Sequence, residues 1–286
     1  MKIRLIITIL VIVLASYVLH KMMCKNSKDT IELFISSTAG NFRETWLKML
    51  NPDLPVVFAS SIEDADVILV VNSAEKQHVN YINKNKHKTI IAKMEPDDQH
   101  VDGESDYMAV WNIENGLNNV EWFFPTHYSE IVQDIQPNSA TMGDAVSVVM
   151  SSKYYFPGHK KRIDFVKFLE RNHPEIDLHI YGADNKFKFE NYKGKVDDKS
   201  SALVPYKYHF NCENHFIDNY ITEKFTDAIL CETFNFYGGP ANIVDIYNPD
   251  AYELLDMDDF EGSAMKIING INDDKWGTQL QEIRQV

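Results

Sequence analysis

Residues 206–239, YKYHFNCENHFIDNYITEKFTDAILCETFNFYGG, hold the densest set of side chains able to do chemistry. A strand-like run over 206–212 delivers Glu213 and Asn214 at its carboxyl end. Thr222, Glu223 and Lys224 then open a helix-like segment over 221–230. A carboxylate suits the positive end of a helix dipole, whereas an ammonium there opposes it. Lys224 therefore implies one of two things. Either an anion such as phosphate is held nearby, sharing the free backbone N–H groups of the helix start. Or the helix is simply capped by Thr222, with Lys224 in solvent. The residues alone leave both open.

A second triplet, Asp256-Met257-Asp258, offers the oxygen ligands that hard cations prefer, so a divalent ion on a nucleotide diphosphate is one use for it. The ten histidines show no metal-ligand spacing, and neither do Cys24, Cys212 and Cys231. A Cys212–Cys231 bridge is conceivable, but two separately buried thiols are the simpler reading.

Alternating strands and helices must position these groups. Residues 31–36, 56–60, 67–71, 89–94 and 108–111 read as strands, with Phe42, Trp46 and Leu50 at helical spacing between the first two. The continuous apolar runs at 67–71 and 89–94 resemble strands buried on both faces of a parallel sheet. A polar stretch over 129–144 reads as a linker. Strands then recur at 146–150, 178–181, 206–212 and 233–237, with helices at 159–171 and 221–230. This pattern predicts an α/β protein of two Rossmann-like domains facing a cleft, with the ligand at the carboxyl ends of strands. Neither G-x-G-x-x-G nor G-x-x-x-x-G-K-[ST] occurs, so a plain dinucleotide or P-loop enzyme is not supported.

The 286 residues carry a net charge of −14, which disfavours nucleic acid as a partner, so any bound phosphate needs a local positive cluster. Residues 5–19 form an uncharged, mostly apolar run flanked by Lys2, Arg4, Lys21 and Lys25. It is short for a membrane span, but flanking basic side chains extend its reach. A cleaved signal peptide is the competing reading; a retained signal-anchor with a short stem over 1–29 is preferred, since no small-x-small cleavage site follows.

The pattern YKYHFNCEN, then YITEK, then YGGP resembles the hallmark region of the α1,3/4-fucosyltransferases, glycosyltransferase family 10. Downstream, NIVDIYNPDAYELLDMDDF is similar to the same family's closing segment. The resemblance places Asp256-Met257-Asp258 in a turn that starts a C-terminal helix, so Asp258 is read as an N-cap or helix-start charge. It also implies a two-domain GT-B fold, with residues 30–140 binding the acceptor and 145–286 the nucleotide-sugar.

The same resemblance assigns Glu223 to the donor ribose and Lys224 to its phosphates. Tyr181, at the end of IDLHIYG, Glu213, Asn214 and Tyr220 join the nucleotide-sugar site. Arg162, in KKRIDFVKFL, matches an arginine that opens the first helix of the donor domain. A guanidinium there could clamp a diphosphate through two donors; the alternative is a solvated helix start with Lys160 and Lys161. Glu95 falls on the general base, with Asp97 and Asp98 as rivals. The implied reaction is inverting transfer of fucose from GDP-fucose to a glycan, with no obligatory metal or other cofactor; the alternatives are a GT-B transferase using another nucleotide-sugar and a catalytically silent glycan- or nucleotide-binding relative. The implied setting is a type II, single-pass protein of the Golgi or another secretory membrane. Phe124 stands where family members often have Arg, and ETFNFYGG departs from the pattern after the donor helix.

Overall fold

The computed structural model describes residues 30–38, 55–93, 101–111 and 140–286. The chain divides into two compact units, Met1–Asn119 and Val120–Val286.

In the first unit, β1 (Ile31–Ser36), β2 (Val56–Phe58), β3 (Val67–Val71), β4 (Thr89–Ala92) and β5 (Ala109–Trp111) form a parallel sheet in the order β2-β1-β3-β4-β5. Successive strand residues point to opposite faces. Val67, Leu69 and Val71 therefore join Leu33 and Ile90 in one apolar cluster, while Ile68 and Val70 join Ile91 and Ile82 in another. Both faces need cover, which is why β3 is apolar throughout. Ile82 comes from a short helix, α1 (Val79–Lys84), which the sequence reading did not include. The expected helix around Phe42, Trp46 and Leu50, the anchor run over 5–19, Glu95, Asp97 and Asp98 lie outside the described residues. Among the described residues, no helix is long and apolar enough to cross a membrane.

The second unit holds β6 (Val146–Val149), α2 (Pro157–Asn172), β7 (Leu178–Tyr181), β8 (Tyr192–Gly194), β9 (Tyr208–Cys212), α3 (Glu223–Leu230), β10 (Phe234–Gly238), β11 (Tyr252–Leu254), α4 (Phe260–Asn272) and α5 (Lys275–Gln285). Its six strands are parallel, in the order β11-β10-β9-β6-β7-β8. Every residue of β9 and β10 is buried. Helix α2 lays Ile163, Phe165, Val166 and Leu169 against the sheet, with the Phe165 ring edge-on to Phe210 at 5.1 Å. Burying side chains of this size contributes about 1.5–3 kcal/mol each. The predicted elements recur here with ends moved by one or two residues, while β8, β11 and α5 are additions.

Cys212 and Cys231 are buried free thiols, as the simpler reading expected. The Asp256-Met257-Asp258 reading needs one correction. The N-cap of α4 is Asp259, whose carboxylate accepts the Gly262 N–H at 2.9 Å. Asp258 sits one residue too early to reach that donor and instead pairs with Lys161 at 2.6 Å. Asp256 accepts the Asp258 N–H at 2.9 Å.

Candidate functional site

The winding of the second sheet reverses between β6 and β9: β7 and β8 follow on one side, β10 and β11 on the other. Loops leaving the carboxyl ends of these two strands diverge and open a crevice. A pocket of about 270 Å³ lies there, lined by Val149, Met150 and Ser151 at the end of β6, Lys153 beyond it, His159 and Arg162 on α2, Lys199, Asn214 after β9, and Glu223 and Lys224 at the start of α3. Four of these side chains are basic and one is acidic. A chain of net charge −14 thus concentrates positive charge at one point, where an anion gains most.

Arg162 is 97% buried, its residue being 3% exposed, so it is no solvated helix start. Its Nη1 donates to the Cys212 carbonyl at 2.8 Å, and its Nε has no hydrogen-bond partner among the described residues. Burial lowers its pKa, while Glu213 and Glu223 favour the charged form. A guanidinium so placed has donors to offer a ligand.

Lys224 is also enclosed. Its Nζ donates to Thr222 Oγ1 and Glu223 Oε1, both at 3.1 Å, and lies 3.4 Å from Glu213 Oε2. Burial works against its charge, but Glu223 and Glu213 outweigh burial, and its pKa ends above the ordinary lysine value. Of the two sequence readings, the cap is present, with Thr222 accepting the Lys224 N–H at 3.4 Å, but Lys224 is not in solvent: it lines the pocket. Glu223 is pushed towards a higher pKa by burial, yet Lys224 and Lys199 hold it below the usual carboxylate value.

Glu213 does not line the pocket. It is fully buried, and its carboxylate accepts the Thr222 N–H at 2.9 Å, the Thr222 hydroxyl at 2.7 Å and the Tyr237 hydroxyl at 2.9 Å. It thereby fixes the start of α3. Tyr220 is also buried, edge-on to His215. Tyr181 also stays off the pocket lining, with its hydroxyl 2.6 Å from that of Tyr206. Asn214 lines the pocket because α2 packs tightly against its loop. The Gly158 N–H donates to the Asn214 carbonyl at 3.0 Å, and a Cβ on Gly158 would fall 1.8 Å from the Glu213 carbonyl. Only glycine permits that approach.

Three titratable lining residues escaped the sequence reading. His159 lies one turn before Arg162 on the same helix face, a spacing that could have found it. Burial, then Arg162 and Lys153, lower its pKa to about 4, so the ring is neutral at physiological pH. Lys153 and Lys199 lie outside the motifs and gave no signal. Among the described residues, no cluster of three His, Cys, Asp or Glu side chains is placed to hold a metal ion.

A family model described as "Glycosyltransferase family 10 (fucosyltransferase) C-term" matches residues 144–273, which span the whole pocket. A crystal structure of an α1,3-fucosyltransferase is similar at 15% identity with a TM-score of 0.61, covering 90% of this chain and 82% of that one. The α1,3-fucosyltransferase with GDP-fucose gives the same identity and coverage with a TM-score of 0.54. An α-glucosyltransferase in complex with UDP and a 13-mer DNA is similar at 9% identity, covering 90% of this chain and 95% of that one, with a TM-score of 0.56. No curated protein sequence matches this chain significantly. At these identities the structures establish the fold, two parallel α/β sheets of the GT-B type.

Proposed function

We propose that the chain transfers fucose from GDP-fucose to a glycan acceptor, because its residues 144–273 match the model of the C-terminal part of glycosyltransferase family 10, the fucosyltransferases. The observation that carries this reading is the convergence of Arg162 and Lys224 on one pocket within that domain. Departure of GDP concentrates negative charge on the diphosphate, and enclosed cations stabilise that charge more in the transition state than in the ground state. Glu223, held ionised between Lys224 and Lys199, accepts hydrogen bonds from the donor ribose. Asn214 lines the same pocket and offers an amide to the donor. Glu213 and Tyr220 lie behind that wall and keep its residues in place.

Glu95 takes the proton from the acceptor hydroxyl as the oxygen attacks the anomeric carbon. The carbon–oxygen bond to GDP breaks in the same displacement, and the configuration inverts. Arg162 and Lys224 meet the charge of GDP, so the reaction has no obligatory metal. The acceptor is bound by residues 30–140, and the basic-flanked apolar run over 5–19 anchors the protein to a secretory membrane in type II orientation.

The test is a panel of nucleotide-sugars and glycan acceptors with product mass as the readout, run with and without chelator. A mass gain of one deoxyhexose from GDP-fucose, retained in chelator, is the expected result. GDP binding without transfer from any donor would identify a silent nucleotide-binding relative instead.

A further inference from the structure

Lys199 stands outside every motif, yet it lines the pocket beside Glu223 and Lys224. It opens a short turn, Lys199–Ala202, that is fixed at both ends. Asp198 caps it, accepting the Ser200 N–H at 2.9 Å and the Ser200 hydroxyl at 2.8 Å. Ala202 and Leu203 are fully buried, and the Leu203 carbonyl accepts the Thr233 hydroxyl. The Lys199 backbone is therefore set before any ligand arrives.

Its head group is set as well. Nζ donates to Asp227 Oδ2 at 2.6 Å, and Asp227 is fully buried in the second turn of α3. Among the described residues, Asp227 is the hydrogen-bond partner of that ammonium. An ammonium has three N–H donors, so two remain. The contrast with Lys224 is plain, since Thr222, Glu223 and Glu213 already surround its head group. Burying a charge is costly without a return, and Asp227 alone does not use the donors of Lys199.

We propose that Lys199 is a further donor-binding residue, its ammonium held by Asp227 so that two N–H groups meet phosphate or ribose oxygens of the nucleotide on the Glu223 side of the pocket. Asp227 is then a positioning residue that touches no ligand. This rests on the donor-site reading given above.

The experiment is calorimetry with GDP on the full chain in detergent and on Lys199→Met, Lys199→Arg and Asp227→Asn, with thermal melting of each protein alone. Lys199→Met should weaken GDP about tenfold or more, as expected when a charge-assisted contact is lost. It should raise KM for the donor by a similar factor and move kcat much less. Lys199→Arg should recover most of the affinity. Asp227→Asn should lose several-fold despite its distance from solvent. Burial already pushes the Asp227 carboxyl up to about 7 against the pull of Lys199, so it can take a proton when Lys199 is gone, and the fold should persist. If Lys199→Met does not fold, the double variant Lys199→Met/Asp227→Asn buries no charge and serves in its place. A lower melting temperature with unchanged GDP affinity would make the pair purely structural and overturn the proposal. Wild-type protein that ignores GDP would instead sink the donor-site reading itself.

Discussion

Replacing Glu213 with Gln separates the groups that line the pocket from those that hold them. The substitution keeps the shape and removes the charge. Behind the pocket wall the Glu213 carboxylate accepts three hydrogen bonds between 2.7 and 2.9 Å, two from Thr222 and one from Tyr237, and lies 3.4 Å from Lys224. Hydrogen bonds to a charged group contribute about 1.5–3 kcal/mol, neutral ones about 0.5–1.5. Converting three of the first kind to the second costs roughly 3 kcal/mol, even if the Thr222 hydroxyl turns to accept from the new amide. Lys224 keeps Glu223 as a partner, so no buried cation is left bare. For a domain of this size each kcal/mol moves the melting point by about 2–4 °C, giving a fall of roughly 6–12 °C. GDP affinity, measured well below the transition, should change only about two- to threefold, because Glu213 is absent from the lining. Scanning fluorimetry and calorimetry read the two quantities on one sample. An unchanged melting point with GDP binding lost would mean that Glu213 meets the nucleotide directly, and the division of labour described here would be wrong.

Three further outcomes follow from the same geometry. Lys224→Ala should weaken GDP about ten- to hundred-fold, whereas Lys186→Ala, which removes the same charge from an exposed position, should change affinity less than about twofold; equal affinities would reduce the 222–224 segment to a capped helix. Glu95→Gln should lower transfer by roughly 10²–10⁴-fold and leave GDP binding intact, and transfer that survives would hand the role to Asp97 or Asp98. Asp227 is held near 7 in the fold against an ordinary value of 3.8, by burial first and Glu223 second, with Lys199 and Lys224 opposing. The folded protein therefore binds the proton more tightly than the unfolded chain. The stability this contributes is complete below about pH 4 and falls as pH rises towards 7. Asn cannot ionise, so urea unfolding at pH 5 and 7 should show the stability difference moving in favour of Asp227→Asn by up to about 1.4 kcal/mol per pH unit; a difference that does not move would contradict the shift.

Strands buried on both faces were the most legible part of the sequence. VILVV at 67–71 and the run at 146–149 declare themselves because every position must be apolar or tightly packed. The edge strands β8 and β11 did not, being three residues long and only partly covered, so neither length nor alternation marks them. Helix α5 hid for a related reason: of its eleven residues only Ile283 is buried. In the pocket, Arg162, Asn214, Glu223 and Lys224 were legible through motif spacing. Lys199 was not, because its partner Asp227 lies 28 residues away and only the closed fold brings them together. Glu213 shows the converse. Its motif position marked it as important, but whether it faces the ligand or the protein depends on where Thr222 and Tyr237 come to rest.

The reversal of winding at β6 and β9 also sets a timetable. Val146 pairs with Tyr208, so roughly 60 residues of chain must be closed into a loop before these neighbours meet, a slow step in folding. The pocket takes one wall from within that loop and the other, Asn214, Glu223 and Lys224, from after it. On the ribosome, a chain that has not yet released α3 has neither Glu223 nor Lys224 to face Arg162. If this pocket holds a nucleotide as proposed, binding awaits the finished sheet, and its effect should show as slower unfolding, with amide exchange in β6, β9 and the start of α3 retarded together as one cooperative unit.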